Sequence, residues 1–146
     1  MSMKKLIFLL SPLFFLGFTS LFSQDVKIKK DVVYIDGNQC FTIVDDMVSA
    51  SFFDESDTEV IYMQWIHNST YGGGETYSKI FFPEQDLSFT HQSYVYTKKM
   101  LLKEMLRDRT MKGCEINPEK LIRFVERHDE NIERDVPQIN INIQNN

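Results

Sequence analysis

The pattern that most constrains the fold is a series of short β-type runs between residues 26 and 91. Runs rich in Val, Ile, Phe and Tyr alternate with polar clusters of the kind that form turns. Alternation of this kind is typical of an antiparallel meander, in which each strand pairs with the next one along the chain. The sequence therefore predicts about five to six antiparallel strands.

Turn chemistry predicts two hairpins within this region. The runs 26–35 and 39–44 flank Asp36-Gly37-Asn38, and an Asp-Gly pair favours the positive φ angles of a tight turn. Two further runs, 49–53 and 59–66, flank a polar segment of hairpin length. Because the run 59–66 has apolar residues on both faces, we expect it to lie inside the sheet.

The last strands are predicted on either side of Pro83. The run 76–82 ends there, because proline lacks the amide proton that continues a ladder. Leu87 and Phe89 then alternate with Ser88 and Thr90, which predicts a short edge strand with one wet face.

After residue 97 the spacing of apolar residues becomes helical. Leu101, Leu102, Met105 and Leu106 share one side, which predicts an amphipathic helix that ends before Gly113.

A second helix is predicted to begin at Asn117-Pro118, where Asn caps free amides and Pro at the first position loses no hydrogen bond. Its predicted apolar stripe is Leu121, Ile122 and Val125 and, more weakly, His128 and Ile132. The short link between the helices predicts antiparallel neighbours. The fold class is therefore α+β: an antiparallel meander followed by a two-helix C-terminal hairpin packed on the sheet.

The N-terminal segment 1–23 has the pattern of a signal peptide. A basic head with Lys4 and Lys5 precedes an apolar run that is short and polar for a membrane span, so a retained anchor is the less favoured alternative. We expect export to the periplasm or the medium, with cleavage after Ser23 or after Ser20. We predict one domain over 24–135 and a flexible tail over 136–146.

Charge and cysteine content narrow the function classes. Without residues 1–23 the chain keeps 14 Lys and Arg against 21 Asp and Glu, a net charge of 14 − 21 = −7. Such an acidic chain is repelled by a polyphosphate backbone, so we predict no nucleic-acid partner. Cys40 and Cys114 are a disulfide candidate in an oxidising compartment, although two free buried cysteines are equally compatible with the sequence.

The residues suited to acid–base or metal chemistry form no recognisable motif. His67, His91 and His128 fall on a predicted loop, strand end and helix, without metal-ligand spacing. The polar segment 54–59 has four carboxylates, which could bind calcium. A solvated hairpin tip is the better supported interpretation, because the spacing of an EF-hand is absent. These four residues are Asp54, Glu55, Asp57 and Glu59. We predict no catalytic residue, no metal and no cofactor.

Aromatic residues near Gly72-Gly73-Gly74 are the candidate ligand site. Tyr62, Trp65, Tyr71 and Tyr77 could form a platform that stacks on sugars or clamps a peptide. The alternative is that they belong to the core, as strand aromatics usually do.

The order of these segments is similar to that of a loose group of small exported proteins of flavobacterial type with no assigned function. The likeness rests on the order of the signal peptide, the hairpin V-V-Y-I-D-G, the strands E-V-I-Y-M-Q-W-I and S-K-I-F-F-P, and the helices L-L-K-E-M-L-R and N-P-E-K-L-I-R-F-V-E-R. It implies localisation and fold, and it transfers no catalytic residue.

Three functions remain open at this point. The leading hypothesis is an exported non-enzymatic domain that binds an unknown protein, peptide or glycan, with no membrane contact after signal removal. The second is a small hydrolase that pairs His67 or His91 with a carboxylate of the loop 54–59. The third is an envelope structural subunit that uses an exposed strand edge to join a partner sheet.

Overall fold

The computed structural model describes residues 24–67 and 76–133, which form an α+β domain as predicted. Its main layer is a seven-stranded antiparallel sheet in which every strand pairs with the next one in the chain. The strands are β1 (Val26–Lys29), β2 (Val32–Ile35), β3 (Asn38–Asp45), β4 (Ser49–Phe53), β5 (Glu59–Ile66), β6 (Tyr77–Phe82) and β7 (Leu87–His91). Two helices, α1 (Lys98–Arg107) and α2 (Pro118–His128), pack against this sheet.

Three predicted features lie outside the described residues. They are the signal peptide 1–23, the glycine loop with Tyr71, and the tail 136–146. Within the described residues, no helix is long and apolar enough to cross a bilayer.

The prediction of a single strand over residues 26–35 was wrong. Lys30 and Asp31 have φ angles of 46° and 63° and form a two-residue turn that separates β1 from β2. Two positive φ angles match the twist of a tight hairpin. Asp tolerates this conformation, but Lys carries no turn signal, so the apolar alternation on both sides concealed the break.

The other predicted hairpins are confirmed. Asp36 and Gly37 form the β2–β3 turn with φ angles of 50° and 84°, and Ile35 pairs with Asn38 across it. Strand β5 lies between β4 and β6, and β7 is an edge strand. The expected wet face of β7 is wrong at Thr90, which is buried under the segment that follows α2.

One face of the sheet, the inner face, carries the core. Paired residues of antiparallel strands share a face, so the register defines its apolar rows. One such row is Ala50, Met63, Ile80 and Phe89, and another is Ile43, Phe52 and Ile61. All of these side chains are buried, and they form one cluster with the apolar residues of both helices.

Helix α2 begins where the sequence predicts, with the Asn117 side chain accepting a hydrogen bond from the Lys120 amide at 2.9 Å. Its buried stripe is Leu121, Phe124 and Val125, whereas Ile122 is exposed. The predicted stripe was wrong at Ile122, because positions i, i+3 and i+4 share a helix face and i+1 lies about 100° away from it.

The connection between the helices has structure of its own. A small two-stranded sheet lies there, formed by β8 (Met111–Lys112) and β9 (Glu115–Ile116). The predicted pair of C-terminal helices on the sheet is confirmed, but the link between them is longer than expected and contains this small sheet. Helix α1 packs against β1 and α2 against β7, so the two helices contact opposite edge strands of the main sheet.

The two cysteines are joined. Cys40 of β3 and Cys114 in the β8–β9 turn form a disulfide across a sequence separation of 74 residues. The bond attaches the small sheet to the main one. The sequence left open whether the two cysteines are paired or free, and in the structure they are paired.

Candidate functional site

The connections of the meander alternate between the two ends of the sheet. The β2–β3 turn and the β4–β5 turn lie at one end, which we call the hairpin end. The β3–β4 turn, the end of β5 and the segment 92–97 after β7 lie at the other, which we call the loop end. Residues far apart in sequence therefore meet at each end.

The predicted aromatic platform is divided between the two faces of the sheet. Trp65 lies on the inner face, where it packs against the core, and its register partner there is Ser78. Tyr62 and Tyr77 lie on the opposite, outer face, because side chains alternate along a strand. Tyr77 is also buried, and its hydroxyl donates to a Glu133 carboxylate oxygen at 2.9 Å. The structure does not bring these three side chains to one surface.

Exposed apolar side chains gather instead at the loop end. Met47 and Val48 lie in the β3–β4 turn, and Tyr94 and Val95 lie in the segment after β7. Met47 is 93% exposed and Val95 is 69% exposed. We call these four residues the loop-end surface.

Sequence reasoning missed this surface, although its signal was present. Two connections that should be polar instead carry Met-Val and Tyr-Val pairs, and every second connection of a meander lies at the same end.

The β3–β4 turn that carries Met47 is fixed by Asp46. Oδ1 of Asp46 accepts hydrogen bonds from the backbone amides of Val48 at 2.8 Å and Ser49 at 2.6 Å. These two amides, helped by the Ser49 hydroxyl, hold the pKa of the Asp46 carboxyl below its usual value. The exposed Met47 side chain, at the tip of the β3–β4 turn, therefore lies on an ordered turn.

The tip formed by Tyr94 and Val95 is anchored on both sides. Before it, the Ser78 hydroxyl donates to the carbonyl oxygen of Ser93 at 3.1 Å. After it, the carbonyl oxygen of Tyr96 accepts from the indole N–H of Trp65 at 3.1 Å. The two outward-pointing residues therefore lie between two residues that are attached to the sheet.

Trp65 also connects the two tips. Its backbone N–H donates to the Val48 carbonyl at 2.8 Å, while its indole N–H holds Tyr96. A Lys98–Asp45 ion pair joins the start of α1 to the end of β3 beside them. The sequence assigned Trp65 to a ligand platform, whereas in the structure it positions the loops that carry the exposed residues.

A cluster of ionisable side chains lies where the ends of α1 and α2 meet. His128 places Nε2 3.1 Å from Asp108 Oδ2 and Nδ1 3.8 Å from Glu104 Oε2. The buried hydroxyl of Tyr96 donates to Glu104, and burial followed by the Glu104 contact raises the pKa of Tyr96. Each group has a partner, so the cluster fastens α2 to α1.

The contribution of Asp108 to the stability of the contact between α1 and α2 depends on pH. Burial acts to raise the pKa of its carboxyl, but the hydrogen bond from His128 and the charges of His128, Arg127 and Arg107 outweigh it, so the pKa is lowered. A carboxyl with a lowered pKa stabilises the folded state above its unfolded pKa, near 3.9. That contribution is lost as pH falls through the lower, folded pKa.

We expect Asp108→Asn to lower the free energy of unfolding by about 1 kcal/mol at neutral pH, because it weakens charge-assisted hydrogen bonds. The difference from the unmodified protein should shrink as the pH falls below the unfolded pKa of the carboxyl. Urea unfolding of both proteins at neutral and acidic pH measures this difference in the free energy of unfolding. Asp57→Asn, in the exposed β4–β5 turn, is the matched control, and an equal loss in both variants would contradict the assignment.

The hydrolase pairing suggested by the sequence is wrong in its geometry. His67 and His91 lie at the loop end, and the acidic segment 54–59 lies at the hairpin end. The eight-residue strand β5 separates them, a length of about 25 Å at the usual rise per residue. The carboxylate that His91 faces is that of Glu130, 4.0 Å from its Nε2.

The acidic segment forms a hairpin tip. Asp54 Oδ1 accepts from the backbone amides of Ser56 and Thr58, while Glu55 and Asp57 are exposed. A cleft of about 230 Å³ lies between this tip and residues 39–42. Within the described part of the chain, no three His, Cys, Asp or Glu side chains converge as they would around a metal ion.

The edge of β7 is covered by the residues after α2. The Thr90 amide donates to Asp129 Oδ1 at 3.0 Å, and the Glu130 amide donates to the Thr90 carbonyl at 3.0 Å. Gln92 donates its amide proton to the Glu130 carboxylate. These bonds occupy groups that an added partner strand would need at this edge.

Comparison with known proteins gives no match to a family model, to a curated protein or to a solved structure. The resemblance to small exported proteins therefore stays a prediction.

Proposed function

We propose that this chain is an exported, non-enzymatic binding domain whose ligand is a protein or peptide segment with apolar side chains and no net negative charge. The observation that carries the proposal is the loop-end surface, where Met47, Val48, Tyr94 and Val95 are exposed on two anchored turns.

Exposure of these side chains favours binding over a structural role. An apolar group left in water forgoes the free energy of burial, and here two exposed apolar pairs lie on connections at the same end of the sheet. Methionine adapts its shape to a partner because it is unbranched and polarisable. The anchored turns reduce the ordering cost of association, so more of the contact energy remains as affinity.

A peptide fits this surface better than a glycan does. Sugar binding uses the open face of an aromatic ring, but Trp65 is partly buried against the core and its indole N–H is engaged. The Tyr94 ring packs against His67 with centroids 4.7 Å apart. Met47 and Val95, the most exposed members, offer aliphatic and thioether contacts that suit apolar side chains.

The net charge of the chain further limits the class of ligand. The chain without residues 1–23 carries a net charge of 14 − 21 = −7, so an acidic segment is repelled and a neutral or basic one is favoured. Export is supported by the basic and apolar pattern of residues 1–23 and by the Cys40–Cys114 disulfide, since such bonds persist in oxidising compartments.

Selection of random peptides on phage against the purified protein tests the proposal. We expect enriched peptides to be apolar and not acidic. Their affinity should fall at least about tenfold in Met47→Glu and in Val95→Glu, because each introduces a charge at the centre of the contact. Isothermal titration or fluorescence anisotropy with a labelled peptide measures the change.

Ile122→Glu is the matched control, because Ile122 is also an exposed apolar residue but lies on α2. It should leave peptide affinity unchanged. Failure to enrich any peptide, or equal affinity for all three variants and the unmodified protein, would reject the loop-end surface as the site. Binding on a glycan array that Met47→Glu abolishes would replace the peptide ligand with a sugar.

A further inference from the structure

We propose that His91 is a pH-sensitive anchor of the Tyr94–Val95 tip, so that the loop-end surface is ordered near neutral pH and released in mild acid. The effect on ligand binding rests on the function proposed above. The anchor itself is a property of the fold and can be tested without a ligand.

The anchor depends on one nitrogen of the imidazole. His91 Nδ1 accepts a hydrogen bond from the backbone N–H of Ser93 at 3.0 Å. A neutral imidazole carries its proton on one nitrogen and accepts at the other. The proton of neutral His91 is therefore on Nε2, which faces Glu130 Oε1 at 4.0 Å.

Protonation removes this acceptor. Imidazole side chains gain their second proton between about pH 5 and pH 8, and an imidazolium has a donor at both nitrogens. An N–H on Nδ1 of His91 would then oppose the N–H of Ser93, and the hydrogen bond between them would be lost.

The surroundings of His91 accommodate the charged ring. Glu130, from the segment after α2, provides a carboxylate on the Nε2 side. The ring stacks on Tyr96, with centroids 4.5 Å apart, and the Tyr96 hydroxyl binds Glu104 of α1. Its register partner in β6, Ser78, has no charge. Protonation therefore shifts His91 from holding Ser93 towards an ion pair with Glu130 and leaves the core intact.

The consequence reaches the exposed tip because Ser93 immediately precedes it. The Ser93 carbonyl accepts from Ser78 Oγ and from the Tyr96 amide, and the Ser93 hydroxyl accepts from the Val95 amide. When the Ser93 amide loses its partner, this set of bonds loosens. Ligand binding must then order the tip, which lowers affinity.

The single tryptophan reports on this loop directly. Trp65 is the only tryptophan in the chain, and its indole N–H binds the Tyr96 carbonyl at the other side of the tip. We expect the emission of Trp65 to change in one transition when the pH is lowered from neutral into mild acid. His67→Gln is the matched control, because His67 is the other histidine beside the tip, and this variant should keep the transition.

Two variants at position 91 test the anchor from both sides. His91→Asn keeps an uncharged acceptor two residues before the Ser93 amide, as in an Asx-turn, and should abolish the transition while holding the neutral-pH emission. His91→Phe keeps an aromatic ring against Tyr96 without an acceptor and should show the acid-form emission at all pH values. Circular dichroism at each pH establishes that the variants are folded.

A transition that persists in His91→Asn, or that is absent from the unmodified protein, would overturn the anchor. With a selected peptide, we expect affinity to fall at least about fivefold from neutral to mildly acidic pH, and not in His91→Asn. Equal pH dependence in the two proteins would also overturn the proposal. If no peptide is enriched, the proposed function fails, while the emission of Trp65 still decides the anchor.

Discussion

Replacing Cys40 and Cys114 together by alanine is expected to lower the free energy of unfolding by about 4 kcal/mol. The bond joins residues 74 positions apart, so it removes a large amount of conformational freedom from the unfolded chain. It also attaches the turn between β8 and β9 to β3, with Cys40 buried in the core. Both effects act in the same direction.

Urea unfolding of the oxidised protein and of the double variant measures this difference. Dithiothreitol should destabilise the unmodified protein by a similar amount and should leave the double variant unchanged. A difference below about 1 kcal/mol would show that the reduced chain retains enough structure to make the cross-link redundant.

Phe89→Ala is expected to cost about 3–5 kcal/mol of stability, because it removes a large buried ring and leaves a cavity that the surroundings only partly fill. Phe89 is 1% exposed and lies where the sheet meets α2. Its ring centroid is 5.8 Å from that of Phe124, 6.4 Å from that of Phe82 and 6.4 Å from that of Tyr96.

The matched control for this variant is the preceding residue of the same strand. Ser88 is exposed on the outer face, so Ser88→Ala should change stability by less than about 0.5 kcal/mol. Thermal or urea unfolding of both variants gives the comparison. A small loss in Phe89→Ala would mean that the helices are not held to the sheet through this residue.

The binding surface illustrates how a correct fold prediction can still miss the site. The sequence predicted the β3–β4 connection and the segment after β7, and a meander places both at one end of the sheet. Trp65 was assigned to a platform with Tyr62 and Tyr77, although residues 62 and 65 of one strand face opposite sides. The exposed pairs Met47-Val48 and Tyr94-Val95 occupy connections, where sequence analysis usually expects polar residues.

The histidines were located correctly on their elements, but their chemistry depended on partners distant in sequence. His91 faces Glu130, and His128 lies between Glu104 and Asp108. Neither set has a motif spacing, because the partners belong to segments that meet only when the two helices pack on the sheet. The suggested pairing with residues 54–59 failed because these residues and the histidines lie at opposite ends of the sheet.

The sequence by itself determined most of the local structure of this protein. Turn residues such as Asp36-Gly37, the cap Asn117 and the apolar spacing of α1 act within a few residues, so each can be recognised in isolation. Only the tertiary structure decided which side chains remain exposed, that Cys40 and Cys114 pair, and that Trp65 anchors both tips. These features depend on contacts between distant segments, and such contacts form only when the sheet and helices bury a common core.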